Sequence, residues 1–407
     1  MILMIYLFFL NFRRCLLFVI LVSLIHLSSA FAQFGVHKVP SDPLYSKNNI
    51  EFELKPRFNR VEGIFPELEI RYWIPQSRIL THADAGYGFR NQGTRYRFGI
   101  QKSFFSLNRF VIGAEVFDET KTNDSWMISL VENSLAGIFL REDFYNYFER
   151  KGWTGFVEQA LGNNYIIRIS YFNFKYMDMA TFSNFSGTLF GWKKHFRVNP
   201  HIPTGSEESV NLSMIIDLRD NEIFTTRGWY LEGLYQKTFG DFISDDDVDT
   251  DGLFITGKRY QPTWGNQRLI FRSMAGFRKG SLFPQYLMWI GGVGSLRAFR
   301  DRLAFGSNFL LFNLNYFLGG DLLQRIPLQF IPLYDTFSLG FFMDAGDAWN
   351  PDHNKSNLFD GFTDFNPFFD TGVSLLISEG LLHIDFAKQI RQGDGSWRIT
   401  FRLLEKF

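Results

Sequence analysis

Residues 306–318 read GSNFLLFNLNYFL, and this stretch decides the fold. From position 310 onward, apolar side chains occupy every second position. They are Leu310, Phe312, Leu314, Tyr316 and Leu318. Asn313 and Asn315 lie between them and share the opposite face. A period of two predicts a β-strand with one apolar and one polar face, about as long as a strand that crosses a membrane.

Similar segments recur along the whole chain, separated by turn residues. They are 50–58, 63–74, 81–91, 95–106, 110–120, 152–161, 165–177, 208–220, 228–240, 253–261, 266–279, 306–318, 335–347, 367–377, 381–391 and 396–407. An even number of antiparallel strands is what a single-chain bacterial barrel requires. The sequence therefore predicts an all-β fold, a 16-stranded antiparallel transmembrane β-barrel over residues 50–407.

The connections between the segments differ in length on the two predicted sides. Long connections follow odd-numbered segments: 121–151, 181–207, the Asp-rich 241–252, 280–305 and 348–366. Mostly brief turns follow even-numbered segments, although 319–334 is longer, and 59–62 and 92–94 are short connections on the outside. Long outer loops and short periplasmic turns are typical of outer-membrane barrels. A soluble sandwich or large open sheet shares the alternation but does not explain this asymmetry.

The composition supports a membrane environment. Aromatic residues make up 18% of the chain, with 49 Phe alone. Beyond the N-terminal region no apolar run approaches the length of a spanning helix, so only a closed barrel could cross a bilayer. The 42 basic and 42 acidic residues balance, which gives no attraction to nucleic acid. Lipids of the outer membrane are the predicted surroundings.

Residues 1–32 have the pattern of an export signal. Arg13 and Arg14 precede an apolar run, and Ala30-Phe31-Ala32 is typical of a cleavage site. A retained membrane anchor or a later translation start are the alternatives. Residues 33–49 are predicted to be a short periplasmic segment. Because the only cysteine, Cys15, lies inside the signal, the mature chain would have no disulfide, thiolate metal site or redox chemistry.

The stretch Gly291-Gly292-Val293-Gly294-Ser295-Leu296-Arg297-Ala298-Phe299-Arg300 lies inside the long connection 280–305. Glycines allow a tight turn at positive φ. An arginine in a barrel lumen needs polar or charged acceptors, because an unpaired buried charge is costly. We therefore expect Arg297 to have a partner.

This stretch resembles the loop motif of the outer-membrane protein assembly superfamily, which includes bacterial surface antigen, assembly and two-partner-secretion barrels. The resemblance implies a loop that folds back into the lumen, with its motif at Gly291, Gly292, Leu296, Arg297, Ala298 and Phe299. A second match is 341–349, FFMDAGDAW, which implies that Asp344 is the partner of Arg297.

Further similarities extend the resemblance to roughly residues 208–407. They are Asp217-Leu218-Arg219-Asp220 with Thr226-Arg227-Gly228, and the terminal assembly signal at Phe401, Leu403 and Phe407. In the first half, 58–63 (FNRVEG) resembles an opening of related surface-antigen barrels.

The chain also departs from the family pattern. Ala298 replaces the motif glycine, and Glu405 interrupts the apolar face of the last strand. Asn315 stands where many members have a glutamate, so we expect the carboxylate partnership of Arg297 to rest on Asp344 alone. Because the first strand begins near residue 50, we expect a short member without periplasmic polypeptide-transport-associated domains.

Other polar clusters have weaker functional interpretations. Asp245, Asp246, Asp247, Asp249 and Asp251 could bind calcium, but a solvated loop is favoured because the pattern lacks the glycine and closing glutamate of a calcium loop. Arg268, Arg272 and Arg278 could select anions or pair with lumenal carboxylates. His383 beside Asp385 suggests a catalytic dyad only if a nucleophile is present. No Gly-x-Ser-x-Gly or His-Glu-x-x-His motif occurs, so we predict no enzyme activity, no metal and no cofactor.

Three functions remain open. The resemblance implies insertion or translocation of protein or lipid at the outer membrane of a Gram-negative bacterium. The alternatives are a scaffolding subunit of a larger complex and a passive channel, which the inserted loop would block. The implied partners are the barrel assembly machinery for the chain's own insertion and, for a subunit, lipoproteins or a second barrel.

Overall fold

The protein is described here by a computed structural model that covers residues 49–105, 108–182, 195–222, 225–241, 247–280, 283–318, 337–350, 358–359, 361–377 and 382–403. In chain order its elements are β1 (Ile50–Leu54), β2 (Arg57–Asn59), β3 (Gly63–Phe65), β4 (Glu67–Ile74), β5 (Ile79–Gly88), β6 (Gly93–Phe104), β7 (Phe110–Lys121), α1 (Leu130–Leu140), β8 (Phe148–Leu161), β9 (Tyr165–Met177), β10 (Gly205–Asp217), β11 (Gly228–Asp241), β12 (Asp247–Pro262), β13 (Arg268–Gly280), β14 (Met288–Ile290), β15 (Ala304–Gly306), β16 (Asn308–Leu318), β17 (Phe337–Trp349), β18 (Phe368–Ile377), β19 (Leu382–Arg391) and β20 (Trp397–Leu403). Short 3-10 turns occupy Pro284–Tyr286 and Phe362–Asp364.

Sixteen of these strands form one antiparallel sheet, in the order β1-β4-β5-β6-β7-β8-β9-β10-β11-β12-β13-β16-β17-β18-β19-β20. The predicted strand number and antiparallel order are confirmed, and β9 has the predicted bounds. β1 and β20 stand at the two ends of this order. Among the described residues, the backbone pairings include none between these two strands.

The sheet has an apolar outer face and a polar inner face. On β10, Leu212 and Met214 are 45% and 47% exposed. On β16, Asn313 and Asn315 are 2% and 1% exposed, whereas Phe312, which precedes Asn313, is 37% exposed. A soluble sheet would bury the apolar face instead, because burying apolar surface is what stabilises it in water. The inverted pattern is that of a barrel whose outer face contacts lipid.

The first two predicted strands are wrong in their inner bounds. β1 ends at Leu54 and β4 begins at Glu67, and between them β2 and β3 form a separate hairpin. Pro56 and Pro66 flank this hairpin. Proline cannot donate a ladder hydrogen bond, so the ladder between β1 and β4 ends next to these prolines.

The predicted long connection 241–252 is also wrong. β11 continues to Asp241 and β12 begins at Asp247, with residues facing each other across the ladder up to that point. The two strands therefore leave only residues 242–246 to connect them. Asp249 and Asp251, which were predicted to lie in the connection, belong to the paired strand β12. Asp249 and Asp251 both form ion pairs with Lys237 there.

Two outer connections contain elements that the sequence did not predict. Helix α1 lies in the connection between β7 and β8, and the hairpin β14–β15 lies between β13 and β16. The side chain of Ser129 caps α1 by accepting a hydrogen bond from the backbone N–H of Glu132 at 3.1 Å. No helix in the described part of the chain is long and apolar enough to cross a membrane.

Several predicted features lie outside the described residues. They are the export signal 1–32, residues 33–48 of the N-terminal segment, Asp245 and Asp246, the connection 319–334, Glu405 and Phe407.

Candidate functional site

The connection between β13 and β16 turns sharply before it enters the barrel. Gly291 and Gly292 have φ of +112° and +89°, a region that side chains rarely adopt. The N–H of Gly291 donates to Ser295 Oγ at 2.7 Å, and the N–H of Gly292 donates to Leu296 O at 3.1 Å. These bonds close a compact turn that directs residues 294–299, hereafter the lumenal segment, along the inner wall.

Replacing Gly291 with alanine is expected to destabilise this turn. A Cβ there would lie 2.5 Å from Arg300 O and 2.6 Å from Leu303 N, both backbone atoms that cannot move independently. Together with the positive φ, the cost should be about 1–3 kcal/mol. The measurement is the temperature at which the folded barrel loses its compact mobility in unboiled gels. Gly233→Ala is the control, because a Cβ at Gly233 meets nothing within 4 Å; equal transition temperatures for the two variants would contradict the prediction.

Five inner-face residues form a row across neighbouring strands, hereafter the wall row. Their backbones face each other in sequence across five strands: Arg272 on β13, Asn313 on β16, Asp344 on β17, Asp370 on β18 and Gln389 on β19. Because side chains alternate between faces, partners in register point the same way. The row is therefore a continuous polar strip at one level of the inner wall.

The lumenal segment lies along the wall row and bonds to it strand by strand. Arg272 Nη2 donates to Gly294 O at 2.7 Å, and Asn313 Nδ2 donates to Ser295 O at 2.8 Å. The N–H of Ala298 donates to Asp370 Oδ2 at 3.0 Å, and Gln389 Nε2 donates to Ala298 O at 3.0 Å.

One further strand is reached by Phe299, whose carbonyl accepts a hydrogen bond from Arg398 Nη1 on β20. The segment therefore contacts six consecutive strands of the wall.

Arg297 is the charged centre of this arrangement. Its Nε and Nη2 donate to the two carboxylate oxygens of Asp344 at 2.8 and 2.9 Å. Its Nη2 also donates to Asn315 Oδ1 at 2.8 Å, and its guanidinium carbon lies 3.5 Å from the ring centre of Phe342. Bidentate pairing and stacking are both specific to a planar guanidinium.

The expectation that the carboxylate partnership rests on Asp344 alone is wrong. Asp385 Oδ1 on β19 lies 3.8 Å from Arg297 Nη1, within ion-pair distance. Asn315 remains a partner through its amide oxygen, so the replacement of the family's glutamate keeps an acceptor while removing a charge. Two carboxylates therefore share one guanidinium, and both are fully buried.

The side chains of the remaining motif residues pack in the barrel interior, while their backbones make the hydrogen bonds given above. Leu296, Ala298 and Phe299 belong to a buried apolar cluster with Phe309, Leu311 and other inner residues. The Phe299 and Phe368 rings lie edge to face with centres 5.3 Å apart. Ala298 is not among the non-glycine residues with positive φ, so a methyl group is accepted where the family has glycine.

A second buried cluster, hereafter the loop hub, joins four outer connections through Arg60, Asp124, Asp143, Asn199 and Arg302. The backbone N–H of Arg60 donates to Asp143 Oδ2 at 2.8 Å, and its Nη2 donates to Asn199 Oδ1 at 3.1 Å. Arg302, from the same connection as the lumenal segment, donates to Asp124 Oδ2 at 2.6 Å. The hub thus ties the lumenal segment to the loops above it.

Two tyrosines complete the loop hub as donors. Burial raises the pKa of Tyr147 well above its usual range, and the neighbouring Asp143 carboxylate adds to that shift. Tyr147 therefore stays protonated, and its hydroxyl donates a hydrogen bond to Asp143 Oδ1 at 2.9 Å. Burial likewise raises the pKa of Tyr145, whose hydroxyl donates to Ile128 O. Sequence inspection missed the hub; its only signal was the stretch 58–63.

The remaining polar residues singled out from the sequence, the lumenal arginines and the His383–Asp385 pair, do not form the sites considered for them. Arg272 belongs to the wall row, and Arg278 donates to Thr250 and Gln236 rather than to a carboxylate. Asp385 accepts a hydrogen bond from Ser374, while His383 lies edge to face with the Phe317 ring. Within the described ranges, no three metal-ligating side chains converge.

The last strand alternates as predicted. Phe401 on the outer face is 62% exposed, whereas Arg402 on the inner face is 3% exposed. Leu403 is intermediate.

A family model described as the Omp85 superfamily domain matches residues 201–407, which is just over half of the chain and includes the whole wall row. The chain belongs to the Omp85 superfamily. The predicted resemblance over residues 208–407 is thereby confirmed. Helix α1 and most of the loop hub lie outside the matched range.

One solved structure supports the same fold for this Omp85 barrel. It is similar to "BamA from Haemophilus ducreyi lacking POTRA domains 1-3", with 13% identity, a TM-score of 0.55, and coverage of 87% of this chain and 70% of that one. It also matches CdiB from Acinetobacter baumannii, with 11% identity, a TM-score of 0.40, and coverage of 87% and 59%. CdiB from Escherichia coli matches with 10% identity, a TM-score of 0.38, and coverage of 88% and 62%. A comparison with curated proteins found no match.

Proposed function

We propose that this Omp85 barrel resides in the outer membrane and acts there in the insertion or translocation of protein or lipid. The observation that carries the proposal is the lumenal segment, which is bonded to six consecutive strands and ends on β20. A segment fixed in this way holds the strands of one wall together up to the end of the sheet order. Releasing it would let the strands of that wall move relative to one another.

Chemistry also argues against a passive channel. The lumenal segment is buried against the wall, and Met127 lies so close to it that a Cβ on Gly294 would come within 2.4 Å of the Met127 carbonyl oxygen. A buried ion pair that is retained in place of apolar packing is poor evidence for stability but is well suited to fixing one conformation. A barrel that inserts other molecules needs a resting conformation that is well defined and that can change when the molecule to be inserted binds.

The test is insertion of a client barrel into liposomes. A small, urea-unfolded outer-membrane barrel would be diluted into liposomes that contain this protein, and its folded fraction followed by gel mobility. We expect folding to be faster by about tenfold than in empty liposomes, equivalent to roughly 1.4 kcal/mol of barrier. Liposomes with an unrelated passive barrel are the control. Equal rates in all three preparations would contradict an insertion role.

The second candidate is a subunit that needs partners. It is favoured by the loop hub, which makes four outer connections into one bonded unit with Arg60 buried at its centre. Gentle purification of a tagged copy, with mass spectrometry of stoichiometric companions, separates the two candidates. Lipoproteins or a second barrel in constant ratio would support the subunit, and a lone active barrel would support the first proposal.

A further inference from the structure

Three side chains on the lipid-facing side of the barrel are buried at the end that carries the long connections. They are Phe277 on β13, Leu310 on β16 and Trp349 on β17. An even number of positions separates each of them, in that order, from an outer-face residue of the same strand that is exposed: Phe271, Phe312 and Met343. Because the side chains of a strand alternate between its two faces, all three buried residues point outward. A layer of protein therefore covers the outside of the wall at this level.

The covering layer is the described part of the β17–β18 connection, residues 358–359 and 361–366, hereafter the outer cover. Leu358 and Phe365 pack against the three buried residues. The rings of Phe359 and Phe277 meet edge to face with centres 5.0 Å apart, and the Phe365 ring centre lies 5.7 Å from that of Trp349. The connection therefore folds back onto the outside of the barrel wall.

Hydrogen bonds fix the end of the outer cover that leads into β18. The backbone N–H of Asn366 donates to Asp347 Oδ2 on β17 at 2.9 Å. From the end of β19, Arg391 Nη2 donates to Asn366 Oδ1 at 2.9 Å, and the neighbouring Gln392 Nε2 donates to Asn366 O at 2.8 Å. The outer cover is thus attached to the wall by polar contacts at one end and by aromatic packing along its length.

A charged row on the outer face shows where the apolar surface of the barrel ends. Lys237 on β11, Asp251 on β12 and Lys279 on β13 face one another in register. Asp251 forms ion pairs with the two lysines at 3.5 and 3.2 Å. Charged side chains avoid hydrocarbon, and lysines at the ends of spanning segments reach the headgroup region. Phe277 lies two positions below Lys279 on the same face, so the Phe359 ring that contacts it lies just inside the bilayer boundary.

The outer cover also presents apolar side chains outward. Phe359 and Phe362 are 57% and 54% exposed, although each is a large aromatic residue. Thr363 and Asp364 beside them are exposed as well. Aromatic rings next to polar groups are typical of the boundary between hydrocarbon and headgroups, where membrane barrels carry aromatic girdles. The composition of the outer cover therefore matches the depth at which the charged row places it.

We propose that the outer cover is a lipid-binding surface, whose Phe359 and Phe362 rings insert among the acyl chains just below the headgroups of the leaflet on the loop side. The occupant is lipid, because the outer cover lies on the lipid-facing wall and its exposed rings continue the apolar surface that Phe312 and Met343 form below it. The inference requires only that the barrel spans a bilayer. A failure to speed client folding in liposomes would therefore leave it unaffected.

The test measures the depth of a fluorophore in a bilayer. Cys15, the only cysteine of the sequence, is replaced with serine, and nitrobenzoxadiazole is attached to Phe359→Cys or Phe362→Cys in the full-length barrel. The barrel is reconstituted at low density in phosphatidylcholine vesicles with a nitroxide either near the glycerol or near the acyl-chain end. Met343→Cys, on the lipid-facing wall further from the connections, is the control for depth. Val198→Cys, 77% exposed in the β9–β10 connection, is the control for water.

We expect the shallow nitroxide to quench the labels at 359 and 362 several-fold more than the label at 198, and more than the deep nitroxide does. The label at 343 should instead be quenched more by the deep nitroxide. Aqueous iodide should quench the label at 198 several-fold more than those at 359 and 362. Because both phenylalanines are more than half exposed, cysteine at either position leaves the packed side of the outer cover intact, and each position checks the other.

Two outcomes would overturn the proposal. Iodide quenching at 359 and 362 as strong as at 198 would place the outer cover in water. Protection of both labels from iodide and from both nitroxides would place them against protein, as in contact between two copies of the barrel.

Discussion

Replacing Arg297 with alanine is expected to lower the free energy of unfolding by about 3–5 kcal/mol, because it leaves a buried carboxylate without its cation. Asp344 is fully buried and would keep Asn313, which donates to its Oδ1 at 2.7 Å, but no cation in bidentate contact. The loss should also free the lumenal segment from the centre of the wall row. Urea titration of the barrel in detergent, followed by gel mobility, measures the change.

The control for Arg297→Ala is the combined variant Arg297→Met with Asp344→Leu. Removing both charges and filling their volume with apolar side chains should cost less than removing Arg297 alone, since only Asp385, which Ser374 still hydrogen-bonds, is left without the cation. A further control is Lys237→Ala, whose ion pair with Asp249 is solvent-exposed and should contribute no more than about 1 kcal/mol. The prediction fails if Arg297→Ala is no more destabilising than Lys237→Ala.

The barrel was predictable because its pattern is local. On β16 and β10, the alternation of apolar and polar residues directly determines which side chains face lipid and which face the lumen. The strand bounds failed where a single residue decided them. Pro56 and Pro66 end strands because they lack an N–H, yet the surrounding residues still alternate. The alternation of apolar and polar side chains does not show where a backbone N–H is missing. Each proline has to be considered separately.

Helix α1 was not predictable by the same reasoning. Its sequence, LVENSLAGIFL, places Glu132, Asn133 and Ser134 on the buried face. Apolar periodicity identifies a helix by an apolar buried stripe, and here the wall is polar, so the relation is inverted. The contacts that stabilise α1 come from Phe58 and Arg402, which are far away in sequence.

The site was predictable in part. The family resemblance drew attention to Arg297 and Asp344, and the structure places them in bidentate contact. Asp370 was not identified, and Asp385 was considered only beside His383, because their approach to the lumenal segment depends on the register of β18 and β19. A shift of one residue would turn either carboxylate toward lipid. The register of a strand is set by all of its pairings along the ladder, so it cannot be predicted from a single sequence motif.

Replacing Asp143 with alanine is expected to open the loop hub, at a cost of about 3–5 kcal/mol for the unpaired buried cation that remains. Its carboxylate accepts from the backbone N–H of Arg60 at 2.8 Å, from Asn133 Nδ2 at 3.0 Å and from Tyr147 Oη at 2.9 Å. Arg60 Nη1 also lies 3.3 Å from Asp143 Oδ1, and both side chains are buried.

The loss would therefore be felt in the connection of Asp143 itself, in the β2–β3 hairpin through Arg60 and, through the Arg60–Asn199 hydrogen bond, in the β9–β10 connection. Protease protection of the outer loops on intact cells measures it directly, because local opening governs cleavage when closing is fast. Asp394→Ala is the control, since Asp394 is an exposed turn residue whose carboxylate accepts from the backbone N–H of Ser396 at 2.9 Å. Faster cleavage in Asp143→Ala with an unchanged strand core would show that the hub holds the loops as one unit. Equal cleavage in the two variants would mean that the loops are held independently, and the subunit proposal would lose its support.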